Sequence, residues 1–254
     1  MNAVRIDIIP TKGLLWHYGH FIHDFIMPAI LYINASNPTL THMYLIQKVY
    51  QPQHRTHVTN LGTLHTIAEK LLGLKIIYIG PDVLHSMPLV TLTSEVFGPY
   101  TDASFKYIIP HVKSKLTLPV ATSYKVILIE RSVRPLINGS TDTGSNRRSL
   151  ANHEELKSLL QSKYATTFIN VVLEDLTIEQ QIALFMNAQL VIGQHGAGLC
   201  NIIWLTHPNS TIIEFPPYRV DTFAHMCKAL NYKYFRVSNT VSELEKTLSS
   251  ITIA

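Results

Sequence analysis

The chain has 254 residues, 46% of them hydrophobic and 15% charged, which excludes wholesale disorder and leaves room for one large domain or two small ones. Its 21 Lys and Arg exceed its 17 Asp and Glu, which suits an acidic ligand; the basic residues are scattered without interleaved aromatic residues, which argues against a nucleic-acid partner. No segment approaches the roughly 20 apolar residues of a membrane span, so we expect no stable membrane insertion.

The first half of the chain mixes short apolar runs with helical patterns. The segment 116–123, which carries Pro119, is predicted to be a linker, and it divides the chain into predicted domains 1–120 and 121–240. The predicted elements of the first half are a helix over 21–33, a strand over 43–46, a helix over 61–72 that ends at Gly73, and a strand over 75–79.

The second half alternates strands with helices more regularly. Such alternation predicts parallel pairing and an open, doubly wound sheet, so the fold class is α/β. Ligands of these sheets bind outside the carboxyl ends of the strands, where His195 and Glu214 fall. The predicted strands cover 125–129, 168–173, 190–192, 211–215 and 234–237; the predicted helices cover 152–161, 177–188, 222–230 and 241–249, with Asn152 and Thr177 as N-caps.

The run Val-Ile-Gly-Gln-His-Gly-Ala-Gly-Leu-Cys-Asn over 191–201 is the most informative part of the chain. Its small residues let a ligand approach the backbone, and the first amides of the helix that follows lack partners within that helix. This pattern favours an anion site, typically for a diphosphate. A second interpretation is that the glycines only allow close packing, and the spacing alone favours neither.

Several nucleotide and catalytic motifs are missing from the sequence. It contains no GxGxxG and no GxxxxGK[ST], and neither a GxSxG nor an HExxH. It also lacks an Asp-x-Asp pair, the usual carboxylate site for a metal that bridges a sugar-nucleotide diphosphate. A diphosphate bound here would be neutralised by helix amides and by Arg or Lys.

Six short motifs occur in an order that carries a family resemblance. They are the segment 16–24, residues 129–132, Arg148 with 152–156, Gln181 with Phe185, residues 195–201, and residues 212–216. Together they resemble glycosyltransferase family 61, which includes plant xylosyltransferases and animal protein O-linked N-acetylglucosaminyltransferases. The stretch 133–146 is longer than the family pattern, so Arg134 or Arg147 competes with Arg148 for the family role.

The resemblance implies a GT-B fold, in which two Rossmann-like domains face a cleft. Domain 1–120 would bind the acceptor and domain 121–240 the nucleotide sugar, and it stays open whether helix 241–249 packs back on the first domain. The implied reaction is the inverting transfer of a sugar from a UDP-sugar to a glycan hydroxyl, without a metal. Family precedent places xylose first and N-acetylglucosamine second as the transferred sugar.

The resemblance also implies which residues bind the donor. Arg131, at a strand end, would clamp the phosphates, or else pair with Glu130; Arg148 could instead hold Glu155. Glu214 would accept hydrogen bonds from ribose hydroxyls, or else from loop amides. The implied donor-binding set is Arg131, Arg148, His195, Gly196, Ala197, Gly198, Leu199 and Glu214.

The first predicted helix supplies the catalytic candidates. His20 and Asp24 are four residues apart and share a helix face, so either could be the general base that takes a proton from the acceptor hydroxyl. We take Asp24 as the base and His20 as its partner, with His17, Tyr18 and His23 as acceptor-binding residues. The plainer interpretation is that the polar side chains are only solvated and the aromatic ones belong to the core.

Two other functions remain open from the sequence. One is a metal-dependent hydrolase that uses His17, His20, His23 and Asp24, because the three histidines recur every three residues. The other is a nucleotide- or glycan-binding module without turnover. Cys200 and Cys227 lack CxxC spacing and are expected to be buried free thiols of a reducing compartment. With no signal peptide or signal anchor recognised, we expect a soluble viral or bacterial family member in the cytoplasm, the host cytoplasm if viral, or else the soluble part of a longer protein.

Overall fold

The chain divides into two units, Met1–Thr117 and Leu118–Ala254. The boundary falls within the segment 116–123 that the sequence marks as a linker. No helix of the described residues is long and apolar enough to cross a membrane. The computed structural model describes residues 2–9, 15, 17–36, 38–47, 49–50, 57–58, 61–80, 82–83, 86–93, 105–133, 150–215 and 221–253.

A parallel sheet organises the first unit. Its strands are β1 (Ala3–Ile9), β2 (His42–Ile46), β5 (Lys75–Ile79) and β6 (Leu89–Thr93), in the order β5-β2-β1-β6, beside a short antiparallel pair of β3 (Val49–Tyr50) and β4 (His57–Val58). The sequence predicts β2 and β5 but misses β1 and β6. In β1 the apolar run is interrupted by Arg5, which is buried because its Nε donates to the Met87 carbonyl at 3.1 Å.

The helices of the first unit include one irregular segment. They are α1 (Tyr18–His20), a π-helix (Phe21–Ile26), α2 (Met27–Ser36), a 3-10 helix (Gly62–Leu64), α3 (His65–Leu72) and α4 (Ile108–Lys115). The helix predicted over 21–33 is thus wound as a π-helix in its first part, and all six π-helical residues are buried. Gly73 ends α3 as predicted, with φ +66°. The sequence misses α4, whose first turn contains Pro110.

A second parallel sheet organises the second unit. Its strands are β7 (Val126–Glu130), β8 (Phe168–Val172), β9 (Leu190–Gln194), β10 (Thr211–Phe215) and β11 (Lys233–Arg236), in the order β11-β10-β9-β7-β8. Every residue of β9 and β10 is buried. The mixed α/β class with parallel sheets is therefore confirmed. The sequence could predict these strands because parallel strands covered on both faces are continuous apolar runs.

The helices of the second unit cover this sheet. They are α5 (His153–Tyr164), α6 (Ile178–Met186), α7 (Thr222–Ala229), α8 (Val241–Leu248) and three 3-10 helices (Ala165–Thr167, Leu173–Asp175 and Ala197–Trp204). Thr177 caps α6 as predicted, in a reciprocal capping box with Gln180. Asn152 precedes α5 but its side chain does not cap it, because Asn152 Nδ2 donates to the Asn239 carbonyl at 2.6 Å.

The last helix of the second unit, α8, packs into the hydrophobic core of that unit. Leu244 and Leu248 of α8 are buried in one cluster with Leu156 and Leu160 of α5. The sequence left open whether this helix packs back on the first half; its two buried leucines lie in the second unit. As predicted, Cys200 and Cys227 are buried thiols that form no disulfide.

Candidate functional site

The turn after β9 lies at the carboxyl edge of the second sheet. Gly196 has φ +150° and ψ −173°, a combination that is essentially restricted to glycine. A 3-10 helix starts at Ala197, so the amides of Ala197 and Gly198 have no partner within that helix. Residues 195–198 are partly exposed. The turn thus presents backbone donors at the sheet edge, which is the geometry that binds phosphate.

Close packing is a second property of the same turn. A Cβ on Gly198 would lie 3.1 Å from Ile129 Cγ2 and 3.2 Å from Leu173 Cδ1. A Cβ on Gly193 would lie 3.3 Å from Ile129 Cβ. Leu199, expected among the donor-binding residues, has a side chain that is 0% exposed and contributes to the core. The close-packing interpretation therefore holds on the side of the turn toward β7. The anion site stays a prediction for residues 195–198, which reach the surface.

A chain of hydrogen bonds runs from the turn across the next two strands. His195 Nδ1 is hydrogen-bonded to Glu214 Oε1, and the hydroxyl of Tyr234 donates to Glu214 Oε2. Glu214 is 0% exposed, so both of its oxygens are used inside the protein. Its partners in the structure are these two side chains, and the expected ribose contact stays a prediction. The carboxylate fixes the ring of His195.

Tyr234 is a site residue that the sequence analysis missed. It lies opposite Ile212 in the pairing of β10 with β11, and this register brings its hydroxyl to Glu214. Burial, and next the hydrogen bond to Glu214, raise the pKa of Tyr234 above its ordinary value, so the hydroxyl remains a donor. Arg236 Nε donates to the Tyr234 hydroxyl at 3.2 Å, and Arg236 Nη2 donates to Asp221 at 2.8 Å. No local sequence motif contains this series of hydrogen bonds, because its residues lie after β9, in β10 and in β11.

Arg131 follows β7 directly, at the carboxyl edge of the same sheet, and is partly exposed. The alternative to a phosphate contact was an ion pair between Arg131 and Glu130, but one carboxylate oxygen of Glu130 has other partners. Asn170 Nδ2 donates to Glu130 Oε2, and His153 Nε2 lies 3.6 Å from that oxygen. Arg148, the other predicted clamp, lies outside the described residues. The phosphate contact of Arg131 stays a prediction.

A hydrogen bond connects the two predicted catalytic residues, His20 at the end of α1 and Asp24 in the π-helix. His20 Nδ1 lies 2.8 Å from Asp24 Oδ2. The side chain of Asp24 is 0% exposed, whereas that of His20 is 26% exposed. Of the two side chains, that of His20 is the one that reaches the surface, and the choice of base between them stays a prediction. π-Helical turns occur frequently at functional sites.

His23 does not share the surface position expected of an acceptor-binding residue. It is buried, and this burial lowers its pKa to about 4, so it is neutral at pH 7. It lies at a groove of about 230 Å³ between α2 and β6, together with Met27, Tyr32 and Thr91. His17 and Tyr18, by contrast, are partly exposed at the start of α1.

A metal centre at this helix was the alternative prediction. Within the described part of the chain, which includes His17, His20, His23 and Asp24, no group of three or more His, Cys, Asp or Glu side chains is arranged to hold a metal ion. The spacing of three residues does not bring the histidines together at the surface, because the helix winds as a π-helix from Phe21 and His23 is buried. The hydrolase interpretation thereby loses the ligand set on which it depended.

The sequence model of the family Glycosyltransferase 61 matches residues 18–213. The chain belongs to glycosyltransferase family 61. It is accordingly a glycosyltransferase, with a sugar donor and a glycan acceptor as its substrates. No curated protein matches the chain. The family match contains the His20–Asp24 pair, Arg131 and the His195 turn, and it ends before Glu214 and Tyr234.

Proposed function

We propose that this family 61 enzyme is an inverting glycosyltransferase of the GT-B type that moves a sugar from a UDP-sugar to a glycan hydroxyl. The second unit binds the donor, and the first unit supplies the base and the acceptor-binding residues. The observation that carries the proposal is the turn at 195–198, where helix amides and a histidine held by a buried carboxylate meet at the carboxyl edge of a parallel sheet.

The donor site neutralises the diphosphate with protein groups. The amides of Ala197 and Gly198 point out of the start of a helix, and Arg131 offers a planar guanidinium at the neighbouring strand end. As the bond from the anomeric carbon to the diphosphate breaks, its electron pair moves to the leaving oxygen. Fixed donors aimed at that growing charge stabilise the transition state, and each is typically worth about 3 kcal/mol. Since the sequence has no Asp-x-Asp pair, we propose that transfer needs no metal.

The base is His20, and Asp24 is its positioning residue. The acceptor hydroxyl gives its proton to Nε2 of His20, and its oxygen attacks the anomeric carbon from the face opposite the diphosphate, which inverts the configuration. The buried Asp24 carboxylate accepts from Nδ1 and stabilises the imidazolium that forms. The transferred sugar is proposed as xylose first and N-acetylglucosamine second, on family precedent alone.

A donor panel tests the proposed reaction. UDP-sugars and other nucleotide sugars are incubated with the protein and a chelator, and slow donor hydrolysis is scored. UDP itself should raise the melting temperature, and Arg131→Ala should abolish that shift. The matched control is Lys233→Ala, which removes one charge from the opposite edge of the same sheet and should keep the shift. Absence of a shift with every nucleoside diphosphate would contradict the donor site.

Separate variants test the base. His20→Gln should lower kcat by about 100-fold to 10,000-fold while UDP affinity stays unchanged, since general-base catalysis contributes that much. Asp24→Asn should lower kcat less, because His20 keeps a hydrogen-bond partner. His42→Gln, a histidine substitution in β2 of the same unit and outside the proposed site, serves as the control with wild-type kcat. A His20→Gln enzyme with undiminished turnover refutes the assignment, and no turnover by the wild type with any donor favours a binding module.

A further inference from the structure

Gln194 is a buried polar residue beside the proposed donor site that has no role in the reaction described so far. It is the last residue of β9, directly before the turn at 195–198, and it is 7% exposed. Among the residues that the structure describes, its Oε1 is buried and has no hydrogen-bond partner. Because an unpaired buried oxygen costs free energy, buried polar groups nearly always have a partner. An unpaired oxygen at this position therefore points to a ligand group that donates a hydrogen bond.

The alternation of side chains along β9 shows on which face of the sheet Gln194 lies. It shares a face with Leu190 and Ile192, and both are buried in one core cluster with Leu156 of α5. Phe215, which pairs with Gln194 from β10, belongs to the same cluster. Gln194 therefore lies at the carboxyl end of the face that α5 covers, which we call the α5 face.

The turn after β9 packs on the opposite face of the sheet. Gly193, one residue before Gln194, is on that face, and a Cβ there would lie 3.3 Å from Ile129 Cβ and 3.4 Å from Leu199 Cδ2. A Cβ on Gly198 would also meet Ile129. The amides proposed to bind the diphosphate thus lie on the Ile129 side, and Gln194 lies on the other side of the same sheet edge.

The α5 face carries acidic side chains at this edge. Glu130 ends β7 and shares the face of Leu128, which lies in the same core cluster. Glu154 and Glu155 lie in the first turn of α5. Acidic side chains repel a diphosphate but not a neutral ring that carries N–H donors. The charges therefore favour the diphosphate on the Ile129 side and an uncharged part of the sugar donor on the α5 face.

We propose that Gln194 recognises the uracil base of the sugar donor, with Oε1 accepting a hydrogen bond from N3–H and Nε2 donating to a neighbouring base carbonyl. A carboxamide offers one acceptor and one donor in a plane, which matches the donor and acceptor at the edge of uracil. The hydroxyls of the ribose and the sugar are single, rotating groups without that planar pattern. The inference rests on the proposed function, and it makes Gln194 a specificity-determining residue.

Isothermal titration with UDP and with 3-methyl-UDP, in which a methyl group replaces the N3 hydrogen, tests this inference. The wild type should bind UDP at least about tenfold more tightly, because the methylated base leaves the buried oxygen unpaired. Gln194→Met keeps the length of the side chain without its polar atoms. It should bind UDP about tenfold more weakly than the wild type and lose the preference. A preference that is absent from the wild type, or undiminished in Gln194→Met, would overturn the inference.

Thermal unfolding without ligand separates recognition from a structural role. Gln194→Met removes an unpaired buried oxygen, so its Tm should equal or exceed that of the wild type. A lower Tm together with unchanged UDP affinity would assign Gln194 to the fold alone and overturn the inference. The matched control is Gln189→Met, because Gln189 is 9% exposed and directly precedes β9, at the other end of the strand. It should keep the preference for UDP over 3-methyl-UDP.

A titration with inorganic diphosphate separates this inference from the donor site. A wild type that binds diphosphate and UDP, but does not distinguish 3-methyl-UDP, retains the donor site and overturns the role of Gln194 alone. A wild type that binds none of the three overturns the donor site as well. If Gln194 contacts the ribose instead, Gln194→Met weakens UDP and 3-methyl-UDP by the same factor, which also overturns the inference. If Gln194→Met does not fold, Gln194→Asn, which withdraws the oxygen by one methylene, should lose the preference in its place.

Discussion

The substitution Gly198→Ala tests how the packed side of the turn and its ligand side depend on one another. Gly198 lies in the 3-10 helix after β9, at a position without positive φ, so an alanine there is limited by space rather than by backbone strain. Its new Cβ would lie 3.1 Å from Ile129 Cγ2 and 3.2 Å from Leu173 Cδ1. Ordinary carbon contacts are about 3.5–4 Å, so something must move.

The magnitude follows from which neighbour can move. Leu173 can shift its terminal methyl group, but Ile129 is β-branched and buried in β7, so Cγ2 cannot turn away without leaving its rotamer. Overpacking of this kind costs about 1–3 kcal/mol, and the reduced freedom of the unfolded chain offsets about 0.4–1 kcal/mol. We expect Gly198→Ala to lower the free energy of unfolding of the second unit by about 1–2 kcal/mol.

Denaturant unfolding measures this cost when Trp204 is the reporter. Trp204 is 0% exposed in the second unit, and Trp16→Phe removes the other tryptophan of the chain. Gly80→Ala is the control, because its Cβ would come no closer than 3.7 Å to Val83, and the Trp204 transition should stay unchanged. A Gly198→Ala transition equal to that of the parent protein would refute the packing argument.

The same variant connects packing to donor binding. Relief of the contacts with Ile129 and Leu173 must displace the start of the 3-10 helix, whose amides form the proposed anion site. UDP affinity should therefore fall along with stability. A destabilised variant that binds UDP with wild-type affinity would show that the glycine serves packing alone.

Three further predictions concern stability and reactivity. Thr177→Ala removes the capping box with Gln180 and should destabilise the second unit by about 1 kcal/mol in the same unfolding assay. Burial lowers the pKa of His23 from 6.5 to about 4, so between these pH values the unfolded chain binds a proton that the native protein does not. The free energy of unfolding should therefore fall by up to about 3 kcal/mol as the pH is lowered from 6.5 to about 4. His23→Gln should flatten that pH dependence. Burial, with the charge of Glu214, raises the pKa of Cys227, so a thiol reagent should label it only after unfolding.

Periodicity located most elements of the second unit and fewer of the first. Strands such as β9 and β10 are predicted because parallel strands with two covered faces are unbroken apolar runs. β1 is not predicted because Arg5 interrupts its apolar run; the buried guanidinium donates to the carbonyl of Met87, 82 residues away. α4 escapes because Pro110 reads as a break, although the first turn of a helix tolerates proline. Each miss depends on a contact or a position that local pattern does not contain.

The sequence by itself determined the alternation of strands and helices in the second unit, the glycine turn at 195–198 and the spacing of His20 and Asp24, because these follow from neighbours along the chain. Only the tertiary structure decided which atoms reach the surface: the side chain of Asp24 is buried, whereas that of its partner His20 is partly exposed. It also brought Tyr234 to Glu214, 20 residues away, through the pairing of β10 with β11. Burial and strand register depend on how distant segments pack, so no local pattern can specify them.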